Sequence, residues 1–333
     1  GLAGNADLVF LSGKLGVGVS NPTASLEISG VEGFLAQGTL NSGAVFNPGT
    51  GTRMHWYPRK GAFRVGFAYS TEWDDANIGV CSVATGRETT ASGSNSTAMG
   101  NNTDATGSNS TAMGFLTTAS GNFSTATGER ATASGAYSTA MGSSTTASGS
   151  YCTAIGRITN ASGNNSTAMG FSTNASGDFS TAMGAYTAAS GNYSTAIGRN
   201  TTANASYSTA MGNYVSTGGR SGSFIIGDNS TTTVHTSSRT NRFTARFVNG
   251  YYLFTNSNLS SGVRMSGGAN SWSSVSDSTK KEEFRNVHGE NILEKFSTLR
   301  LGTWNYRGQN PALFRHYGPM AQEWFAAFGH DGV

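Results

Sequence analysis

The chain has 333 residues, of which 36% are hydrophobic, 12% are charged and 46 are glycine. This composition lies far from that of an average globular enzyme. The formal net charge is +3, but in the repeat region four arginines are balanced by four acidic residues, so no basic stripe is present there for a nucleic-acid partner. No stretch approaches the roughly 18 apolar residues of a membrane-spanning helix. Few prolines and a strict repeat indicate an ordered chain rather than a disordered one.

Residues 1–85 precede the strict repeat and predict a small β-rich module. The segment "KLGVGVSNPTASLEISG" alternates like a strand at Leu26 and Ile28, after an Asn-Pro turn. It resembles a segment that is common ahead of β-rich stalks in fibre proteins. This resemblance implies a trimeric module, with baseplate or fibre proteins as the expected partners of the N-terminus.

An acidic cluster follows in "STEWDDANIG", which contains Glu72, Asp74 and Asp75. Two carboxylates at a fixed separation serve as acid and base in glycoside hydrolysis. One hypothesis is therefore a tailspike depolymerase that acts on a surface polysaccharide. The alternative is that this segment is a cap or a docking module without catalysis.

From residue 86 to residue 212 the chain repeats every 14 residues, and a short fixed period of this kind predicts a solenoid. A second glycine column, from Gly93 to Gly191 with Ala205 as the exception, divides each coil in two. We predict a turn with positive φ at both columns, because glycine adopts that conformation at little cost. The glycines that close the nine copies are Gly100, Gly114, Gly128, Gly142, Gly156, Gly170, Gly184, Gly198 and Gly212.

Strand alternation within "STAMG" places Thr97 and Met99 on one face and Ala98 on the other. The columns of Ala91 and Ala98 are alanine in all nine copies, which predicts the close approach of another backbone. Methionine and isoleucine share the Met99 column, as expected for apolar filling. A 14-residue coil encloses too little volume for its own core, so neighbouring coils and neighbouring chains are expected to complete it.

"STAMG" paired with "TTASG" at this spacing resembles the head repeats of YadA-like trimeric autotransporter adhesins, which also occur in phage-like fibres. The resemblance implies a mainly β fold, in which residues 86–212 form a left-handed parallel β-roll packed as a homotrimer. It also implies an extracellular fibre on a phage tail, on an injection particle or on a bacterial cell surface. Nine coils at about 4.8 Å each give a rod of about 43 Å.

The column one residue before the serine of "STAMG" is aromatic in six of its nine copies. One hypothesis is that stacked rings in this column form a surface that binds a cell-surface glycan or a protein receptor. The alternative is that the rings only stabilise the stacked coils. Threonine columns at 97–209 and 89–201 leave ice binding as a further hypothesis, beside the ordinary preference of threonine for strands. The aromatic residues are Phe123, Tyr137, Tyr151, Phe179, Tyr193 and Tyr207.

Two other features of the chain lead to local predictions. Cys81 and Cys152 are assigned to one column, five coils and about 24 Å apart, so we predict two free thiols, since a disulfide needs Cα atoms within about 7 Å. The repeat slips after Gly212, and residues 213–272 predict a β-rich neck. A hairpin turn is expected there at Asn249 and Gly250.

Residues 273–333 have a higher charge density and predict a small α+β domain. The spacing of Ile292, Leu293 and Phe296 is typical of an amphipathic helix. "GTWNYR" predicts a strand and "PMAQEWFAAFG" a second helix.

The same segment resembles the C-terminal intramolecular chaperone of phage endosialidase tailspikes. The resemblance rests on Ser276-Asp277, on Lys281 five residues after the serine, and on a later group in "RHYGPMAQEW". Tyr317 departs from the pattern, because an aliphatic residue is usual there. The later group consists of His316, Gly318, Ala321 and Gln322.

That resemblance implies a domain that trimerises the fibre and then cuts itself off beside the serine. By position, Ser276 is the nucleophile, Lys281 its base and Ser276–Asp277 the scissile bond. A lysine can serve as base when burial or nearby cations lower its pKa; the alternative is an inert, solvated pair. Such cleavage is a single turnover in cis, and we expect no external substrate, cofactor or metal.

Overall fold

The computed structural model describes residues 8–29, 35–275, 286–313 and 315–329. The chain divides into two compact units between Val248 and Asn249. The first unit begins with a three-stranded sheet, which confirms the strand predicted at Leu26 and Ile28. In this sheet β1 (Leu8–Leu11) pairs antiparallel with β2 (Lys14–Val17), and β2 pairs parallel with β3 (Leu26–Ile28).

A hairpin opens the long sheet of the first unit. β4 (Gly51–Tyr57) pairs antiparallel with β5 (Ala62–Ala68), and β5 pairs parallel with β6 (Val83–Arg87). Gly66 and Gly86 are partners in this register. The closing-glycine column therefore begins before the strict 14-residue period does.

Each coil of the roll contributes a long strand and a short strand, which pair parallel with their equivalents in the next coil. Ala98 pairs with Ala112, so the register repeats without a shift. This arrangement confirms the predicted mainly β roll. The long strands are β8 (Thr97–Asn101), β10 (Thr111–Phe115), β12 (Thr125–Glu129), β14 (Thr139–Ser143), β16 (Thr153–Arg157), β18 (Thr167–Phe171), β20 (Thr181–Ala185), β22 (Thr195–Ala203) and β23 (Thr209–Ser216). The short strands are β7 (Thr90–Ala91), β9 (Asp104–Ala105), β11 (Thr118–Ala119), β13 (Thr132–Ala133), β15 (Thr146–Ala147), β17 (Asn160–Ala161), β19 (Asn174–Ala175) and β21 (Ala188–Ala189).

The interior of the roll between residues 89 and 210 consists of small side chains. Both alanine columns are fully buried. Ser96 lies beside them, and its hydroxyl donates a hydrogen bond of 2.7 Å to the carbonyl oxygen of Gly93 in the same turn. Alanine, serine and threonine fill this space because the two halves of a 14-residue coil leave no room for larger groups.

The two glycine columns have different roles. Gly100 and its equivalents do adopt positive φ, with 127° at Gly100, but Gly93 and its equivalents do not. Gly100 nevertheless lies inside β8 rather than at a turn, and the chain bends two residues later, at Asn102 with φ 54°. The turn predicted at the Gly93 column is also wrong, and the chain turns two residues later, at Asn95 with φ 55°. Glycine is needed at position 93 for space, because a Cβ there would lie 2.0 Å from the carbonyl oxygen of Gly107.

The long sheet continues beyond Gly212 through β24 (Phe224–Gly227), β25 (His235–Thr236) and β26 (Phe243–Arg246). Residue 212 thus ends the strict spacing, while the sheet runs on to Arg246. The hairpin predicted at Asn249 and Gly250 is wrong. β26 pairs parallel with β24, which places Phe243 in register with Phe224, and the strand that follows Gly250 pairs elsewhere.

The second unit contains an antiparallel sheet and a small α+β region, which confirms the predicted helices and strand. Phe296 packs against Trp324 and Phe328, with ring centroids 5.5 and 5.0 Å apart. Neither helix that the structure describes is long and apolar enough to cross a membrane. The elements are β27 (Gly250–Phe254), β28 (Gly262–Ser266), β29 (Ser273–Ser274), α1 (Gly289–Ser297), β30 (Gly302–Trp304), β31 (His316–Gly318) and α2 (Ala321–Phe328).

The two cysteines are free thiols, as predicted. Their assignment to one column is wrong by one residue, since Cys81 occupies the turn position of Asn95 and Tyr151 while Cys152 replaces the buried serine that follows. Cys81 is exposed and Cys152 is buried. Burial raises the pKa of Cys152 to about 11, which keeps this thiol protonated at neutral pH.

Candidate functional site

Six aromatic side chains stack along one turn of the roll, and we call them the aromatic ladder. Each ring stands on a residue with φ between 56° and 58°, at the same turn of successive coils. The first three rings have centroids 4.8 Å apart and planes within 3° of parallel. The last three are spaced by 4.9 and 5.1 Å with planes 1° apart. The ladder comprises Phe123, Tyr137, Tyr151, Phe179, Tyr193 and Tyr207.

Asn165 interrupts the aromatic ladder between its two stacks. This residue occupies the same turn, with φ 55°, and its backbone N–H donates to the carbonyl oxygen of Ser150 at 2.9 Å. The column thus passes from Tyr151 to Phe179 over two coils. Parallel register brings the six predicted residues into one column, but the sequence-based prediction did not consider the interruption.

A second exposed feature is the column of large apolar side chains that contains Met99, which we call the methionine stripe. Strand alternation turns Ala98 inward, so Met99 and Met141 point out of the coil and are 40% and 43% exposed. The apolar filling predicted for this column therefore does not lie inside the coil. The methionine stripe consists of Met99, Met113, Thr127, Met141, Ile155, Met169, Met183, Ile197 and Met211, in register along the parallel strands.

The stripe continues past both ends of the strict repeat. In β5, Val65 pairs with Thr85 of β6, which pairs with Met99. At the other end Met211 pairs with Ile226 of β24. The first unit therefore presents one column on its long sheet that is apolar except at Thr85 and Thr127, and such surfaces commonly mark interfaces.

The two threonine columns do not form the pair of exposed ladders considered for ice binding. Thr97 and its equivalents face outward beside the methionine stripe, but Thr89, Thr103 and their equivalents are almost completely buried. Only one of the two predicted columns can meet solvent. The column of Thr89 and Thr103 faces the interior, like the alanine column two residues later.

The acidic cluster has structural partners. Asp75 accepts a hydrogen bond of 2.6 Å from the Tyr57 hydroxyl and lies 3.4 Å from Lys60 Nζ. The Tyr57 hydrogen bond, followed by the charge and hydrogen bond of Lys60, lowers the pKa of Asp75. Asp74 and Glu72 each accept from a nearby backbone N–H. All three carboxylates are thus held by hydrogen bonds or ion pairs within the N-terminal module, so the geometry does not favour a depolymerase here.

In the second unit, strand β31 and helix α2 bring the later chaperone-motif residues together. His316 stacks on Trp304 with ring centroids 4.7 Å apart, and its Nε2 lies 3.2 Å from Gln309 Oε1. Gly318 ends the strand with φ 147°, and Ala321 begins the helix, followed by Gln322. Ser276, Asp277 and Lys281 lie outside the described residues, so their predicted roles stay predictions.

An open cleft of about 1080 Å³ lies beside this motif, and sequence reasoning missed it. Ala321 and Gln322 line it together with aromatic side chains of β30 and α2, among them Trp304 and Trp324. The clustered aromatics of "GTWNYR" and "AQEWFAAF" were the available signal. Among the residues that the structure describes, no group of three or more His, Cys, Asp or Glu side chains is arranged to hold a metal ion.

Two stretches of the chain match known protein families. Residues 79–103, 105–131, 133–157, 161–187 and 189–214 match the family of YadA head domain repeats. The repeats of this chain are thus similar to YadA head repeats, over less than half of its length. Residues 276–332, which follow the head repeats, match the family described as chaperone of endosialidase. None of the curated proteins matches the chain.

The two matches indicate a coarse class for the protein. YadA head repeats indicate an adhesin-like trimeric fibre, and the chaperone match indicates a protein of phage type. The head-repeat match runs from residue 79 to residue 214, so it includes the last coil before the 14-residue spacing is lost.

Proposed function

We propose that this protein is a homotrimeric extracellular fibre of a phage tail or a phage-like injection particle, which attaches to a cell surface. The N-terminal region would join baseplate or fibre proteins, and the head repeats would supply a rigid rod. The C-terminal domain would drive trimerisation and then cleave the chain beside Ser276. The methionine stripe is the observation that carries this proposal.

The methionine stripe supports a trimer because the coil cannot cover it. Its side chains stand on the outer face of parallel strands, while the interior of the same coils holds only alanine, serine, threonine and one cysteine. A single chain thus buries its smallest residues and exposes its larger apolar ones. Packing three such faces together removes them from water, at about 25 cal/mol for each Å² of apolar surface buried.

A pair of glutamates in the stripe tests this assembly. We expect the double variant Met141→Glu, Ile155→Glu to be monomeric or aggregated, because carboxylates would be buried without partners at the chain contact. The control is Ser148→Glu, Ser162→Glu, which places the same charges one coil apart at exposed positions of the short-strand side. Light scattering after gel filtration measures the mass. Trimers of the stripe variant at the wild-type mass would contradict the interface.

Cleavage beside Ser276 is tested by intact mass. Hydrolysis of the Ser276–Asp277 bond consumes one water and releases the C-terminal segment. We expect the wild-type fibre to lose all residues after 276 and the Ser276→Ala variant to stay whole. A matched Ser278→Ala variant controls for a general effect of removing a hydroxyl there. Uncut wild-type protein would mean that the domain is retained as part of the fibre.

Attachment to a cell surface is tested with fluorescently labelled fibres added to bacterial cells. We expect labelled wild-type trimers to sediment with susceptible cells, while trimers assembled and then unfolded by heat do not. The receptor is a surface glycan or a surface protein, and prior treatment of cells with periodate or with protease separates these two sources. If wild-type fibres sediment with none of the bacterial strains tested, the attachment role is overturned.

A further inference from the structure

The interruption of the aromatic ladder at Asn165 leaves a notch between two parallel rings, which we call the ladder notch. The rings of Tyr151 and Phe179 form its walls. They stand two coils apart, which at about 4.8 Å for each step separates their centres by about 9.6 Å. The asparagine side chain is much shorter than either ring, so the space between their outer parts is left open.

Both walls are supported from behind. Tyr151 stacks on Tyr137 with centroids 4.8 Å apart, and Phe179 stacks on Tyr193 with centroids 4.9 Å apart. In each pair the planes are within 3° of parallel. One face of each wall is thus occupied and the other faces the notch, so a ligand would meet two rings that are already held in place.

The floor of the ladder notch is polar, and one carboxylate lies beside it. The side chain of Asn165 is exposed, and within the described part of the chain no hydrogen bond is made by its amide. Asp178 lies on the next coil, where its Oδ1 accepts from the backbone N–H of Asn164 at 2.8 Å. Amide and carboxylate groups recognise hydroxyls, whereas an anionic ligand would be repelled by Asp178.

The width of the notch distinguishes between flat and puckered ligands. An aromatic ring in contact with both walls needs about 7 Å, from two carbon contacts of about 3.5 Å. A pyranose chair carries hydrogens above and below its ring, so each wall stands about 4.5 Å from its centre and the pair needs roughly 9 Å. The notch of about 9.6 Å therefore suits a saturated sugar ring and is too wide for a planar group.

We propose that the ladder notch binds one neutral hexopyranose ring of a surface glycan, between Tyr151 and Phe179 and above Asn165. This inference rests on the proposed attachment function, whose receptor class it narrows. One ring binds weakly, with a millimolar dissociation constant expected for a ligand of this size. Three notches in a trimer would strengthen attachment to a repeating polysaccharide.

The test is saturation-transfer NMR on the full chain, with methyl glycosides of glucose, galactose, mannose and N-acetylglucosamine as probes. We expect transfer to the ring protons of at least one glycoside with the wild type. Asn165→Tyr fills the notch with a side chain that the same turn already accepts at Tyr137, so the protein should fold and lose the transfer. Asn109→Tyr lengthens the first stack without filling a two-sided space and should keep it.

Each result bears on one of the two proposals. Equal transfer in Asn165→Tyr and wild type, or no transfer from any glycoside to the wild type, overturns the notch as a sugar site. Stronger transfer to methyl glucuronide than to methyl glucoside contradicts a neutral ligand. Wild-type fibres that sediment with cells but give no transfer leave the attachment function standing. Fibres that give transfer but never sediment with cells overturn attachment and leave the sugar site.

Discussion

The interior of the roll contains a column of threonines whose hydroxyl groups form few hydrogen bonds. The hydroxyls of Thr103, Thr117 and Thr145 are buried without a hydrogen-bond partner among the described residues. In one coil the position is Ala131 instead, so the hydroxyl is dispensable there. A buried hydroxyl without a partner costs free energy, and the methyl group of threonine is the part that packs.

We therefore expect Thr145→Val to leave the free energy of unfolding unchanged or to raise it by up to about 1 kcal/mol, because valine keeps the shape and removes the unpaired hydroxyl. Ala140→Val in the same coil should lower it by about 1–3 kcal/mol, since the added methyl groups overpack a filled column. Thermal melting followed by circular dichroism measures both variants. A larger loss for Thr145→Val than for Ala140→Val would contradict this account.

At the scale of elements, each end of the roll is closed by an arginine. Near the first coil, Arg64 is fully buried and donates to the carbonyl oxygens of Ser82 and Ala91, and burial lowers its pKa to about 10. Near the last strand, Arg246 lies 3.3 Å from Asp228 and donates to the carbonyl oxygen of Asn213. These groups satisfy backbone acceptors where the stack of coils ends.

The C-terminal closure should make stability depend on pH. Hydrogen bonds from the Ser230 hydroxyl and the Val248 N–H, with a smaller contribution from Arg246, lower the pKa of Asp228 to about 2. Because the folded pKa is lowered, the stabilisation is complete above the unfolded value near 4 and is lost as pH falls from about 4 through 2. Melting temperatures should fall less steeply in this range for Asp228→Asn than for the wild type. Parallel curves would contradict the role of Asp228.

The sequence predicts the strands best where the 14-residue repeat is strict. The 14-residue period was enough for the roll, the inward alanines and the aromatic ladder, because parallel register transfers a sequence column directly into space. The period could not show that both turns lie two residues after a glycine, at Asn95 and Asn102, rather than at the glycines themselves. The choice between Gly93 and Asn95 depends on how closely the next coil's backbone approaches, which is a contact between coils. The hairpin predicted for β26 was wrong because its true partner, β24, is separated from it by more than one 14-residue period.

At the scale of the whole molecule, the chain's two units pose different folding problems. The roll gains stability coil by coil and has a small interior, so a single chain has few contacts to set its register. The second unit has larger apolar groups and an aromatic cleft. This contrast agrees with a C-terminal domain that assembles the chains before the coils stack.

Expression of residues 1–275 alone tests this order of events. We expect the shortened chain to yield little soluble trimer. Without the C-terminal domain, no contact aligns the three rolls, and their exposed methionine stripes can associate in other ways. Full-length Ser276→Ala, which keeps the domain attached, should assemble as well as the wild type. Gel filtration and native gels measure the yield. A shortened chain that assembles as efficiently as the full chain would show that the domain is not needed for assembly.

The strict register of the roll has a consequence for how its gene can change. Loss or gain of one complete repeat keeps every column aligned and alters the rod by one step, so fibres of different length can arise by recombination between copies. An insertion of another length keeps the glycines in register only when a loop absorbs it, as between Gly212 and Gly227; within a strand it displaces glycines from the positions where a Cβ would lie about 2.0 Å from the neighbouring backbone. Deletion of the repeat that carries Asn165 would join the two aromatic stacks, so a change in length would also be a change in surface.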